Sequence, residues 1–98
     1  MKLLVAFDLD ADIIDVPQIV VEQKDHYASR FYKWLSNKGV RHSYWVTFED
    51  GTKGFCFRAD ALVEWLNKKV LLDFEEKAVI LQQYVAIEEH SNLPSIFF

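Results

Sequence analysis

The segment that most narrows the fold is residues 44–57. Tyr44, Val46 and Phe48 alternate with Trp45, Thr47 and Glu49; Asp50-Gly51 interrupts, and Gly54-Phe55-Cys56-Phe57 follows. A period of two marks a half-buried strand, and Asp-Gly tolerates the positive φ angles of a tight turn, so a β-hairpin is predicted. With a two-residue turn, Val46 opposes Phe55 and Tyr44 opposes Phe57 on an apolar face directed to the core. Trp45 opposes Cys56 on the other face, which is either covered by another element or exposed.

Around the hairpin, the run KLLVAFDL at residues 2–9 has the length of a buried strand. A polar loop is expected from Asp10 to Asp15. Asp15, Pro17 and Gln18 resemble a helix start. Beyond it, Val20, Tyr27, Phe31, Trp34 and Leu35 share one side of a 3.6-residue period, His26, Arg30, Lys33 and Asn37 the other, and Gly39 is the stop. The β-branched run Ile19-Val20-Val21 leaves a short strand before a helix beginning near Asp25 as the alternative. A second helix is expected from Asp60, with Leu62, Trp65, Leu66 and Lys69 at helical spacing. Asp73-Phe74-Glu75-Glu76 reads as a capping box opening a third, with Ile80, Leu81, Tyr84, Val85 and Ile87 apolar. The fold class is therefore α+β in one domain, residues 1–98. A small, largely antiparallel sheet (the N-terminal strand, the Asp-Gly hairpin and a C-terminal edge strand as an option) packs on two to three helices, in the order β-α-β-β-α-α-(β).

Ninety-eight residues, 51% of them apolar and 15% aromatic, suffice for an ordinary core and argue against disorder. The one cysteine, Cys56, permits no intrachain disulfide and is expected to be a small core or interface residue. The N-terminal apolar run is broken by Asp8, no stretch has the length of a membrane span, and cytoplasm is the expected compartment. Charge is unevenly spread. Residues 1–25 hold two lysines against six acids, residues 26–41 hold Arg30, Lys33, Lys38 and Arg41 with no acid, and residues 73–98 hold Lys77 against five acids.

Several motifs suggest chemistry. Val5-Ala6-Phe7-Asp8-Leu9-Asp10 resembles the first motif of the haloacid dehalogenase superfamily, which implies Asp8 as nucleophile, Asp10 as general acid/base and Mg²⁺ between them. The chain departs at Ala11 and Asp12, where that family has Gly and then Thr or Val, and no later acidic pair follows. Asp8, Asp10 and Asp12 also have the spacing of the first calcium ligands of an EF-hand, but its glycine and bidentate glutamate positions hold Ile13 and Ile19. His26, His42, His90 and Cys56 form no ligand pair of zinc-binding spacing. No catalytic residue, metal or cofactor is assigned.

Two surfaces remain. Arg30, Lys33, Lys38 and Arg41 form a basic stripe suited to phosphates. Trp45 and the C-terminal Ile96, Phe97 and Phe98 form a candidate interaction surface, the tail being expected to pack on its own core, with a partner as the alternative. Pro94-Ser95-Ile96-Phe97 resembles the end of the bacterial sliding-clamp peptide, with Leu93 in place of its Gln. The expected function is a non-enzymatic protein-binding module, an inhibitor, accessory or regulatory protein with a protein partner or self-association. A nucleic-acid-binding domain using the basic helix comes second, and a Mg²⁺-dependent phosphoesterase using Asp8 and Asp10 third. No membrane association is expected.

Overall fold

The computed structural model describes residues 1–98 and has the expected α+β class: a four-stranded sheet packed on helices, with a separate two-stranded sheet beside it. β1 (Lys2–Ala6) is buried on both faces from Leu3 onward, the reason its sequence is a continuous apolar run. It lies between β2 (Ala11–Asp15), antiparallel to it, and the C-terminal strand β6 (Ser95–Phe97), parallel to it. β5 (Val79–Val85) pairs antiparallel with β2 on the far side, so the order is β5-β2-β1-β6. No helix is long and apolar enough to cross a membrane.

The first departure from expectation is at the N-terminus. Residues 2–9 are not one strand, because the chain reverses at Phe7–Asp10, where the Phe7 N–H donates to the Asp10 carbonyl at 2.8 Å. The segment expected as a polar loop, Asp10–Asp15, is mostly β2. Its Ala11 and Ile13 join Leu4 and Ala6 in a small apolar cluster on one face of the sheet, covered by Val85, Ile87 and Leu93. Ile14 turns to the other face and the main core.

The main core lies between that second face and the helices. The helix after Pro17 comes in two pieces, α1 (Gln18–Glu22) and α2 (Lys24–Ser36), parted at Gln23. The β-branched run is thus helical, and Val20 is buried. Phe31 and Leu35 of α2 are fully buried, and Phe31 meets Trp65, Phe57 and Phe98 edge-on at centroid distances of 5.9, 5.6 and 5.6 Å. Burial of each such side chain is worth about 1.5–3 kcal/mol. α3 (Ala59–Trp65) packs over β2 and β5 and runs on as a π-helical turn, Leu66–Val70.

The hairpin of β3 (Trp45–Thr47) and β4 (Lys53–Phe55) forms, but as its own sheet and one residue out of the expected register. Trp45 opposes Phe55 and Val46 opposes Gly54. The loop has three residues rather than two: the Phe48 N–H donates to Thr52 and the Gly51 N–H to Phe48, with Gly51 at φ 85°. Asp50 holds the extra residue by accepting from the Thr52 N–H at 3.0 Å and its hydroxyl at 2.7 Å. A three-residue loop ending in a left-handed glycine is the next most common hairpin connection. The slip exposes Cys56 and puts Trp45 on the same side as Phe55.

The expected third helix is absent. Residues 73–78 are irregular and Val79–Val85 is β5, so the order is β-β-α-α-β-β-α-β-β. Asn67 secures the entry to this strand, accepting the Ala78 N–H at 2.8 Å and donating to the Ala78 carbonyl at 3.0 Å. Pairing with the open edge of β2 outweighs the local helical pattern, and the strand meets β2 with two register irregularities.

Candidate basic aromatic cleft

Where α2, the 37–44 loop, the hairpin and the end of α3 meet, they enclose a cleft with His42 at its centre. The His42 Nδ1 lies 3.2 Å from the Tyr44 N–H, and its Nε2 lies 2.8 Å from the Leu35 carbonyl. Nδ1 must accept and Nε2 must donate, so the imidazole is the neutral Nε2–H tautomer. Its ring is parallel to that of Trp45 (centroids 4.7 Å, 12°) and tilted against Trp34 at 4.9 Å. Trp45 is fixed in turn by its indole N–H, which donates to the Val40 carbonyl at 2.8 Å, and by Phe55 edge-on at 5.9 Å.

The cleft has two lobes. One, of about 420 Å³, is bounded by Lys38, Val40, Arg41, His42, Trp45 and Lys53. The other, of about 370 Å³, shares Arg41 and His42 and adds Trp34, Glu64, Lys68 and Lys69. Arg30 stands nearby over the ring of Trp65 at 5.7 Å. Of these cations only Lys68 has a carboxylate partner, Glu64 at 2.8 Å. Glu64 also accepts from the Tyr44 hydroxyl at 2.6 Å. The Lys68 and Tyr44 hydrogen bonds hold the Glu64 carboxyl below the usual range. Burial, reinforced by Glu64, pushes the Tyr44 hydroxyl well above the ordinary phenol range. The one acid in the cleft is thus ionised at neutral pH and largely committed, while five cations are unpaired.

Of the basic stripe, Lys38 and Arg41 line the cleft and Arg30 flanks it, while Lys33 lies exposed on α2. Trp45, from the other candidate surface, is part of the same cleft. The tail is elsewhere: Ile96 is buried, Phe98 packs on Phe7, Phe31 and Phe57, and Phe97 is 70% exposed beside Tyr32 in an apolar depression. From sequence, Trp34, Trp65 and Lys69 are placed only as helix positions and His42 only as a zinc ligand without a pair, while Lys53 and Lys68 carry no assignment. Lys68-Lys69 was the available signal, but on a helix with no known neighbours a lysine pair reads as a solvated face.

Two aspartates of the N-terminal motif, Asp10 and Asp12, are engaged by Arg58. Asp12 is fully buried, and its carboxylate accepts from Arg58, from the Ala59 N–H at 3.1 Å and from the Tyr84 N–H at 3.2 Å. Arg58 reaches Asp10 as well, at 2.6 Å, and its guanidinium is sandwiched between the rings of Phe7 at 4.6 Å and Tyr84 at 4.3 Å. Burial opposes the charge on Arg58, but the hydrogen bonds to Asp12 and Asp10 outweigh it and hold the guanidinium above the ordinary arginine value. Asp8 is exposed in the turn, and no three His, Cys, Asp or Glu side chains are grouped to hold a metal ion.

No protein-family model, curated protein or solved structure matches the chain.

Proposed function

We propose that the protein is a non-enzymatic binding module whose working surface is the basic aromatic cleft, and that its ligand is a single-stranded nucleic acid. The observation that carries this reading is the convergence of Lys38, Arg41, Lys53, Lys68 and Lys69, from three separate elements, around Trp45 and Trp34. Phosphates supply the charge such a groove takes up, and an indole supplies the stacking surface that an unpaired base offers and a duplex does not. Trp45, braced from one side by His42, is the ring placed for it.

The test is a titration of tryptophan fluorescence with a dT oligonucleotide, its duplex and polyglutamate. Tighter binding to the single strand is expected, with log affinity falling against log salt at about 0.7 per phosphate contact. An Arg41→Glu/Lys53→Glu variant that keeps its melting temperature loses that binding by more than roughly tenfold. Equal affinity for polyglutamate would reduce the cleft to a general polyanion surface and sink the nucleic-acid reading.

A protein partner is the second reading. It is favoured by a different observation, the gathering of exposed apolar side chains in residues 72–84: Leu72, Phe74, Val79, Leu81 and Tyr84.

A further inference from the structure

The two lobes of the cleft share Arg41 and His42 but differ in polarity. The lobe of about 420 Å³ around Trp45 is lined by Lys38, Arg41 and Lys53 and has no carboxylate. The lobe of about 370 Å³ holds Glu64 between Lys68 and the Tyr44 hydroxyl, beside the half-buried Trp34 ring. Both volumes lie at the lower end of the range for small-molecule sites, about 300–1,000 Å³, so each suits one nucleotide rather than a run. A carboxylate repels phosphate, so in a groove for a polyanion it weakens binding of every sequence alike unless it contacts a base.

Lys68 donates to one Glu64 oxygen at 2.8 Å and the Tyr44 hydroxyl to the other at 2.6 Å. An ionised carboxylate has about four acceptor sites, so each oxygen keeps one free, and the Lys68 ammonium keeps N–H donors to spare. The side chains of Glu64 and Lys68 are 37% and 69% exposed, so a ligand reaches both. From Tyr44 outward the lobe therefore presents acceptor, acceptor, donor. Among the common bases, guanine alone carries the complement on its Watson–Crick edge, an amino N–H, a ring N–H and a carbonyl oxygen. Adenine and cytosine turn a ring-nitrogen lone pair to the carboxylate, and thymine or uracil flanks its N–H with carbonyls. Each of these sets acceptor against acceptor.

We propose that Glu64 and Lys68 make the second lobe a guanine-reading subsite, which takes the base next to the one stacked on Trp45, with Arg41 on the phosphate between them. This rests on the nucleic-acid reading of the cleft and adds a base preference to it.

The probe is a set of thymidine pentamers whose central base is thymine, guanine, adenine, cytosine, hypoxanthine or 7-deazaguanine, titrated into the full chain by tryptophan fluorescence. Guanine is expected to bind roughly tenfold tighter than thymine, since hydrogen bonds to charged groups are gained. Hypoxanthine, which lacks the amino group, should bind roughly threefold or more weaker than guanine, and 7-deazaguanine, which keeps the Watson–Crick edge, should match it. Glu64→Gln, measured below its melting transition, is expected to lose the guanine preference while binding the thymine pentamer at least as tightly, because a negative charge has left the groove. Tyr44→Phe removes a partner of Glu64 but not the carboxylate, so the preference should persist. Equal affinity for all central bases, hypoxanthine binding like guanine, or a Glu64→Gln protein that keeps the preference would overturn the proposal. If the pentamers bind equally and with the expected salt dependence, the nucleic-acid cleft stands and only the guanine subsite falls. If none binds, both fall.

Discussion

Arg58 donates to the fully buried carboxylate of Asp12, forty-six positions earlier in the chain, and the pair joins four parts of the fold. The Asp12 carboxylate takes the N–H of the first residue of α3 and that of Tyr84 at the kinked end of β5, while Arg58 reaches Asp10 in the β1–β2 turn. Asp12 also accepts the first N–H of α3, adding to Asp60, which accepts the Arg58 and Ala61 N–H groups, at a start where Arg58 itself offers no capping oxygen.

Removing Asp12 leaves Arg58 with Asp10 as its remaining carboxylate and the Ala59 and Tyr84 N–H groups without an acceptor, at a cost of up to about 3–5 kcal/mol. Asp12→Ala is therefore expected to lower unfolding free energy by that amount in urea denaturation, and Asp12→Asn to lower it substantially. Exposed Asp8→Asn is expected to change nothing. A near-neutral Asp12→Asn would show that the carboxylate is a polar filler rather than the anchor of Arg58.

The tail gives a second contrast. Ile96 and Phe98 are buried wholly or partly, and the Phe98 N–H donates to the Ala6 carbonyl at 2.9 Å. Ending the chain after Leu93 removes β6, and at about 1.5–3 kcal/mol per large apolar side chain it should take away a large part of a total of about 5–15 kcal/mol. Phe97→Ser is expected to leave the melting temperature unchanged. Calorimetry of the two variants checks both.

The hairpin loop is testable at Gly51, whose φ of 85° lies where side chains are strained. Gly51→Ala should cost about 1–2 kcal/mol although nothing stands within 4 Å of the added carbon. Asp50→Ala should also destabilise, by removing both acceptor contacts to Thr52. Equal stability of Gly51→Ala and wild type would mean that the loop relaxes to the two-residue form, with the register moving by one.

Acid should loosen the cleft. Glu64 titrates below its ordinary value of 4.5 because Lys68 and Tyr44 hydrogen-bond its ionised form. A carboxyl depressed in the folded state contributes stability that is present above its unfolded pKa and lost as pH falls through the folded value. The loss therefore begins as pH drops below about 4.5. Glu64→Gln should be less stable than wild type at neutral pH and converge with it in acid. Parallel pH profiles for the two proteins would exclude this contribution.

Some features of this protein were determined locally and could be read from its order of residues. The α+β class followed from a continuous apolar N-terminal run, a period-two segment with a turn dipeptide, and helical spacing through Phe31, Trp34 and Leu35. Each is a pattern within one element, where a side chain's direction depends only on its neighbours along the chain. What was decided by tertiary structure depended on partners far away in sequence. Residues 79–85 have a pattern compatible with a helix but became a strand because the edge of β2 was unpaired and Asp12 could fix Tyr84 in a left-handed turn. Asp10 and Asp12 share the spacing of incomplete metal motifs, and only the fold brings Arg58 to them across forty-eight and forty-six positions. Lys38 is legible as part of a basic stripe, but Lys53 and Lys69 join it around His42 only in the fold, because only the packing of α2, the hairpin and α3 sets the distances between them.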